Sequence, residues 1–368
     1  MCLAVLAPGA AAAKRSVPGQ FAGVMLDKGG EGDPPGAMDQ QMTLMARSGV
    51  ESVRTVFSWE RIQPTKNGPF DFGLTDLQVG TAARHGLGVL PVMLYAPPWA
   101  QAFPARGPSS PPLTKPFQAL LRASIRRYGS RGTFWRDNPS IPRRPIRYWQ
   151  IWNEAHFIGF WNPPKKSRYS WPRGYARLLK AADATIHRSD RRGRTVVGGL
   201  FGDAWLRLRE LYRGGGKRAF DVAAVHVYTR KEVNVLETVK RVNREMRRAK
   251  DHGHPVWITE VSYPASKGKL KPVGALGRET PRGMGRRLYN TFLLLARGRK
   301  RVRLGRVYWY TWSSSYKREQ RPSHFDYAGL VARSGPFDVK PQPALNYFRR
   351  IAERMEGCPK NERGRCRR

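Results

Sequence analysis

The sequence predicts an α/β fold, a (β/α)8 TIM barrel, on three observations. Eight short runs rich in β-branched and aromatic residues alternate with longer amphipathic stretches, the order that parallel strands with crossover helices produce. Several of the segments after the runs, notably 95–114, 155–173, 262–281 and 313–341, are long and rich in Pro, Gly and aromatic residues, whereas those returning from helix to strand are mostly short, as around Gly86, Gly193 and Gly253. A barrel that keeps its chemistry on the C-terminal rim needs that asymmetry. The 368 residues suit one such domain, and no low-complexity linker divides them.

The elements follow in order. FAGVML (21–26) is continuously apolar, as a strand covered on both faces must be, and the helical pattern 38–48 follows it. SVRTVF (52–57) carries one cation, Arg54, inside an otherwise apolar run and leads to the helix 75–85. GVLPVML (88–94) is followed by the long segment 95–114 and the helix 115–128. RYWQIWNE (147–154), the loop 155–173 and the helix 174–189 form the fourth unit. TVVGGLF (195–201) precedes the helix 203–212, and VAAVHVY (222–228) the helix 232–251. PVWITEV (255–261) leads through 262–281 to the helix 282–295, and RVYWYTW (306–312) through 313–341 to the closing helix 343–356.

The formal charge of +40 points first to nucleic acid or an anionic surface. The basic residues are scattered from Lys14 and Arg15 to Arg367 and Arg368 with no recognition motif among them, so a solvated basic exterior is expected, with no specific nucleic-acid partner. Electrostatic association with anionic glycans or a cell wall remains compatible with that exterior. The seven histidines show no HExxH or comparable ligand spacing, so no metal is expected. Gly198-Gly199 and 214–216 lack the surroundings of a phosphate or dinucleotide loop, so no nucleotide cofactor is expected either.

The first thirteen residues, MCLAVLAPGAAAA, have the apolar stretch and small-residue end of a secretory signal without its basic start. The expected organisation is a truncated signal over 1–13, a catalytic barrel over 14–357 and a basic tail over 358–368. Once Cys2 is removed, Cys358 and Cys366 remain as an even pair able to close a short loop, which agrees with a secreted, extracellular or cell-surface protein. No other apolar run reaches the ~18 residues of a membrane span.

Two carboxyls stand out. Glu154 ends the fourth run in Trp-Asn-Glu, and Glu260 closes the seventh in Trp-Ile-Thr-Glu, 106 residues later, the distance three βα units occupy. A carboxylate at an apolar strand end is expensive unless paired or hydrogen-bonded. A salt bridge to a nearby arginine would answer that expense. So would chemistry: cleaving a glycosidic bond with retention takes two carboxyls about 5–5.5 Å apart, one protonated to release the leaving oxygen and one ionised to attack the anomeric carbon. His226 and Tyr228 alternate in VHVY and so share one face of the sixth strand.

The ordered set VRTVFSWERIQP with FDF, VLPVMLYAPPWA, YWQIWNEAHFIGFW, VHVY, VWITEVSYP and VYWYTW resembles clan A of the glycoside hydrolases, in style family 39 or the related family 5, from about residue 21 to 348. The resemblance implies a retaining hydrolase of a polysaccharide or oligosaccharide, working through a covalent glycosyl-enzyme. It makes Glu154 the acid/base and Glu260 the nucleophile, and gives Arg54 and Tyr228 hydrogen bonds to that nucleophile. It gives Asn153 a contact to the sugar 2-hydroxyl, His226 a place in the substrate site, and Trp309, or Trp312 if the strand has ended earlier, the floor of the sugar subsite. Trp59, Trp99, Phe160 and Trp161 are candidates for further subsites or for packing. Ala155-His156 departs from the proline many relatives carry after the Trp-Asn-Glu motif. The alternative function is a catalytically silent carbohydrate- or cell-wall-binding barrel, against which both intact carboxylates argue.

Overall fold

A computed structural model describes residues 14–26, 33–274, 276–314, 322–359, 361 and 366. The leader-like segment over 1–13 and Cys2 lie outside the described residues. The strands are β1 Ala22–Leu26, β2 Ser52–Ser58, β3 Gly88–Leu94, β4 Tyr148–Ile151, β5 Arg194–Val197, β6 Ala223–Val227, β7 Val256–Val261 and β8 Leu304–Trp309. They pair in parallel in the order β5-β4-β3-β2-β1-β8-β7-β6. Two parallel bridges, Val196 with Val222 and Leu200 with Val225, close the ring between β5 and β6. This is the (β/α)8 barrel that the alternation of runs predicts.

Among the described residues ten α-helices accompany the strands: α1 Pro35–Arg47, α2 Trp59–Ile62, α3 Gly73–Arg84, α4 Thr114–Tyr128, α5 Thr133–Asp137, α6 Arg173–Ser189, α7 Ala204–Leu211, α8 Glu232–Arg248, α9 Pro281–Gly298 and α10 Pro343–Glu356. Helix α8 shows how sequence sets their placement. Val235, Val239, Val242 and Met246 recur at helical spacing on one face and are all buried, each contributing roughly 1.5–3 kcal/mol relative to exposure. Lys240, Arg241, Arg244, Arg247 and Arg248 keep the basic charge on the other sides. Helix α9 starts where Pro281 fits the first turn and the Thr280 side chain accepts from Gly283 N. None of the described helices is long and apolar enough to cross a membrane.

Inside the ring, Leu90, Val196, Val222, Ala224, Trp257 and Tyr308 form a plug beneath the rim. The Arg306 guanidinium lies 4.3 Å from the Trp257 ring centroid and 4.6 Å from that of Tyr148. Gly23 on β1 makes room for this plug, since a Cβ there would stand 2.5 Å from the Tyr308 ring. A small sheet that the periodicity gives no sign of, β9 Ser313–Ser314, β10 Val331–Arg333 and β11 Val339–Pro341, braces the loop after β8. Cys358 and Cys366 are joined in a disulfide with their Cα atoms 5.3 Å apart.

Candidate active site

A cavity of about 1110 Å³ opens at the C-terminal ends of the strands, and Arg54, Asn153, Glu154, His226, Tyr228 and Glu260 all line it. Each arrives there for a local reason. On β2, alternation sends Arg54 inward and leaves Val53 among the buried apolar residues. On β6 the same rule brings in His226 and, just past the strand end, Tyr228.

Glu260 obeys the rule only through an irregularity. Trp257 belongs to the plug inside the ring and Glu260 to the cavity above it, an odd spacing that a regular strand cannot satisfy. The register shows the remedy: Val225 faces Ile258 whereas the next residue, His226, faces Glu260, so Thr259 is an extra residue, a bulge that turns the carboxylate inward.

The fourth strand ends earlier than the sequence pattern indicates, at Ile151 rather than at Glu154. Trp152 and Glu154 take left-handed backbone conformations, with φ of 64° and 43°, which ends the ladder and swings the Glu154 side chain over the cavity. Neighbours hold the turn in place. Glu154 N donates to Gly198 O at 2.7 Å, Trp152 Nε1 to Phe160 O at 2.7 Å, and the Tyr175 hydroxyl both donates to Ile151 O at 2.8 Å and accepts from Gly198 N at 2.7 Å.

One oxygen of Glu154, one of Glu260 and a ring nitrogen of His226 lie within 4.8 Å of one another. His226 Nδ1 is 2.5 Å from Glu154 Oε1 and 3.4 Å from Glu260 Oε2. Arg54 Nη1 donates to Glu260 Oε1 at 2.7 Å, its Nη2 to Asn153 Oδ1 at 2.9 Å, and its Nε to Gln150 Oε1 at 2.8 Å. The Tyr228 hydroxyl donates to Glu260 Oε2 at 2.5 Å. Both oxygens of Glu260 therefore accept from fixed donors, one of them charged.

The two carboxyls sit in different fields. Burial raises Glu154 to about 7, and the charge of Arg54 offsets only part of that rise. Burial likewise lowers His226 to about 3, so its imidazole is neutral. Burial, with the neighbouring Glu260 charge, holds Tyr228 well above its ordinary value, so the phenol keeps the proton it donates. His156 is neutral as well, lowered to about 3 by burial first and the nearby Arg207 next, with Phe201 N donating to its Nε2 at 3.4 Å.

Glu154, His226 and Glu260 also have the spacing of a metal-ligand set. The Arg54 guanidinium already supplies the positive charge that a buried carboxylate calls for, so the site is electrostatically complete with its own residues. A second group of that spacing, Asp183, His187 and Asp221, lies at the start of β5, where Thr195 Oγ1 donates to Asp183 and Thr195 N to Asp221.

Trp309 and Trp312 do not join the others. Both are fully buried and neither lines the cavity. Tyr308 points into the plug, so alternation sends Tyr310 into the cavity and Trp309 outward, where its Nε1 donates to Ala328 O at 3.0 Å. Trp312 is fully buried just before β9, with its backbone N donating to Met25 O at 2.8 Å. Trp59 and Trp161 are packing residues and Trp99 lies outside the cavity, whereas Phe160 lines it. Sequence reasoning passed over Gln150, which the Arg54 contact reveals, and Tyr310, Phe157, Phe201 and Trp205, which line the cavity from rim segments. The parity of Tyr308 and Tyr310 was the available signal for one of them.

No family model and no curated protein sequence matches the chain. Solved structures share its fold, and these neighbours are clan A glycoside hydrolases. A family 39 glycoside hydrolase from Bacteroides cellulosilyticus superposes with a TM-score of 0.67 at 19% identity over 92% of this chain, which spans 64% of the length of that protein. A GH5_18 variant from Bifidobacterium longum, solved with Manβ1-4GlcNAc, gives 0.64 at 16% identity, covering 91% of this chain and 78% of that one. The family 1 β-glucosidase from Thermotoga maritima gives 0.64 at 12% identity, covering 93% and 99%.

Proposed function

We propose that the protein is a retaining glycoside hydrolase acting on an O-glycosidic bond, with Glu154 as acid/base and Glu260 as nucleophile. The observation that carries this is the approach of the two carboxyls to within 4.8 Å at the C-terminal rim, close to the spacing that retention requires and too small for the intervening water of an inverting enzyme. The shared fold of the glycoside hydrolases supports it.

The steps follow from the fields. Glu154, raised to about 7, carries a proton at neutral pH and donates it to the leaving oxygen. A neutral His226 donating from Nδ1 to Oε1 leaves Oε2 of Glu154 to hold that proton. Glu260, ionised and gripped by Arg54 and Tyr228, attacks the anomeric carbon and forms the glycosyl-enzyme ester. The ester removes a negative charge beside Glu154, which lowers the affinity of the latter for a proton and lets its carboxylate deprotonate the incoming water. Asn153, held by Arg54, has its amide free to meet the 2-hydroxyl of the sugar.

The disulfide and the basic exterior support an extracellular or cell-surface setting in which the protein associates with anionic glycans. A screen of activated aryl glycosides and polysaccharides with wild type, Glu154→Gln and Glu260→Gln tests the catalytic reading. On aryl substrates Glu260→Gln should abolish turnover, and Glu154→Gln should slow deglycosylation by roughly 10²–10⁴-fold, with partial rescue by azide. Equal activity of all three proteins on every substrate would remove the assignment.

A further inference from the structure

The inside of the ring is layered. Tyr148 on β4 packs against the apolar plug, and alternation brings Gln150 inward again one layer higher, where it meets Arg54. Its partners in the neighbouring ladders are Val92 on β3 and Val196 on β5. Gln150 is 0% exposed, and its Nε2 has no hydrogen-bond partner among the described residues. A buried amide that leaves an N–H unpaired loses stability that an apolar side chain of similar size would keep, so packing does not account for a glutamine there.

The other end of the amide is occupied. Gln150 Oε1 accepts from Arg54 Nε at 2.8 Å, and the guanidinium, which has donors alone, requires the oxygen to face it. The contacts of Arg54 divide by edge. Nε and Nη2 lie along one edge of the planar group, and each donates to an amide oxygen of the same short segment, Gln150 Oε1 at 2.8 Å and Asn153 Oδ1 at 2.9 Å. Nη1, at the opposite end, donates to Glu260 Oε1 at 2.7 Å and to Met25 Sδ at 3.2 Å.

One contact on the clamped edge would leave the plane free to turn about it. Two contacts fix that rotation, so the direction of Nη1 is set independently of the carboxylate it serves. Both clamping oxygens belong to neutral amides. A carboxylate in their place would draw on the charge that Arg54 offers to Glu260. Gln150 does not border the cavity, whereas Arg54, Asn153 and Glu260 all do. Any effect it has on a substrate therefore passes through Arg54.

We infer that Gln150 is a positioning residue for the nucleophile: it locks the Arg54 guanidinium in the plane from which Nη1 holds Glu260 in line for attack. The inference rests on the assignment of Glu260 as that nucleophile. Its test uses Gln150→Met, which keeps the volume and loses the oxygen, and Gln150→Asn, which keeps an amide but draws it back by one methylene. On the substrate that gives fastest turnover in the screen above, both should lower kcat about 10–100-fold, the order of loss that a displacement of about 1 Å brings. KM should stay within about two-fold of wild type, because the residue lies outside the cavity. In an Arg54→Lys background, which has no guanidinium edge to clamp, Gln150→Met should cost no more than about two-fold further. A variant with native circular dichroism and wild-type kcat, a loss expressed in KM, or an undiminished loss in the lysine background each overturns the inference. If the methionine variant does not fold, the asparagine variant carries the same comparisons. A Glu260→Gln protein with wild-type turnover would instead overturn the reading beneath it.

Discussion

Gly199 lies against the ring of His226 so closely that a Cβ on the glycine would stand 2.0 Å from Nε2. The glycine also holds a φ of 39°, a conformation other residues rarely adopt. Gly199 thus makes room for the histidine that touches Glu154, while Gly198 makes room for the backbone before Glu154, where a Cβ would stand 2.5 Å from Ile151 O. Gly199→Ala must displace the ring from its 2.5 Å contact with Glu154 Oε1. We expect kcat/KM to fall roughly 10–100-fold with the secondary structure unchanged, because a 1 Å displacement of a catalytic group carries losses of that order. Wild-type activity in the alanine variant would show that His226 does not orient Glu154.

The environment of Glu154 predicts that activity and stability both fall as pH rises through the titration of its carboxyl. Its carboxyl is raised from 4.5 to about 7 by burial, so kcat/KM should decline as pH passes about 7 and the acid proton is lost. In the unfolded chain the group ionises near its ordinary value. The folded protein therefore binds more protons than the unfolded one between 4.5 and about 7, and the stability this contributes is complete below that window and lost as pH rises through it. Glu154→Gln removes the loss. Denaturant titrations should find the variant more stable than wild type by about 1–3 kcal/mol at pH 8.5 and equal to it at pH 4. A difference that does not change with pH would contradict the burial of the carboxyl.

What could be read beforehand depended on whether the signal was local. The eight strands announce themselves because each is a short run rich in β-branched and aromatic residues, and Arg54 is conspicuous because it stands inside one. The strands β9 to β11 stay hidden, since two or three residues carry no period and their pairing partners, Ser313 with Val331 and Arg333 with Val339, are set by loop closure. The end of β4 is misread because nothing in Trp-Asn-Glu declares that Trp152 and Glu154 turn left-handed. The bulge at Thr259 is equally silent, yet without it Glu260 would face the helices. Phe157 from the segment after β4 meets Phe201 and Trp205 from the segment after β5, a relation that only the folded chain expresses.

Arg54 and Glu260 form an ion pair whose side chains are 1% and 9% exposed. Removing one partner of such a pair strands the other charge. Arg54→Met should destabilise the protein by about 3–5 kcal/mol, whereas adding Glu260→Met should restore about 1–3 kcal/mol of that loss. The recovery is partial because Gln150 Oε1 and Asn153 Oδ1 also lose their donor. Thermal melts of the two singles and the double measure it, and additive losses would show that the two groups do not interact.

The parity of β8 separates two aromatic residues that adjoin in sequence. Tyr310 faces the cavity with its ring 5.1 Å from that of Phe325, whereas Trp309 is buried outside the ring of strands and held through Ala328. If the sugar rests on Tyr310, Tyr310→Ala should raise KM about ten-fold or more for any leaving group, since stacked aromatic contacts and their area are lost together. Trp309→Phe keeps the packing but forfeits the hydrogen bond to Ala328, so it should lower stability by about 1–3 kcal/mol and leave KM at its wild-type value. The pair of measurements discriminates cleanly because the two residues share a backbone segment: a general disturbance of the loop after β8 would move KM in both variants. A KM that responds to Trp309 and ignores Tyr310 would mean that β8 enters the site one residue out of the register described, with the tryptophan as the sugar platform.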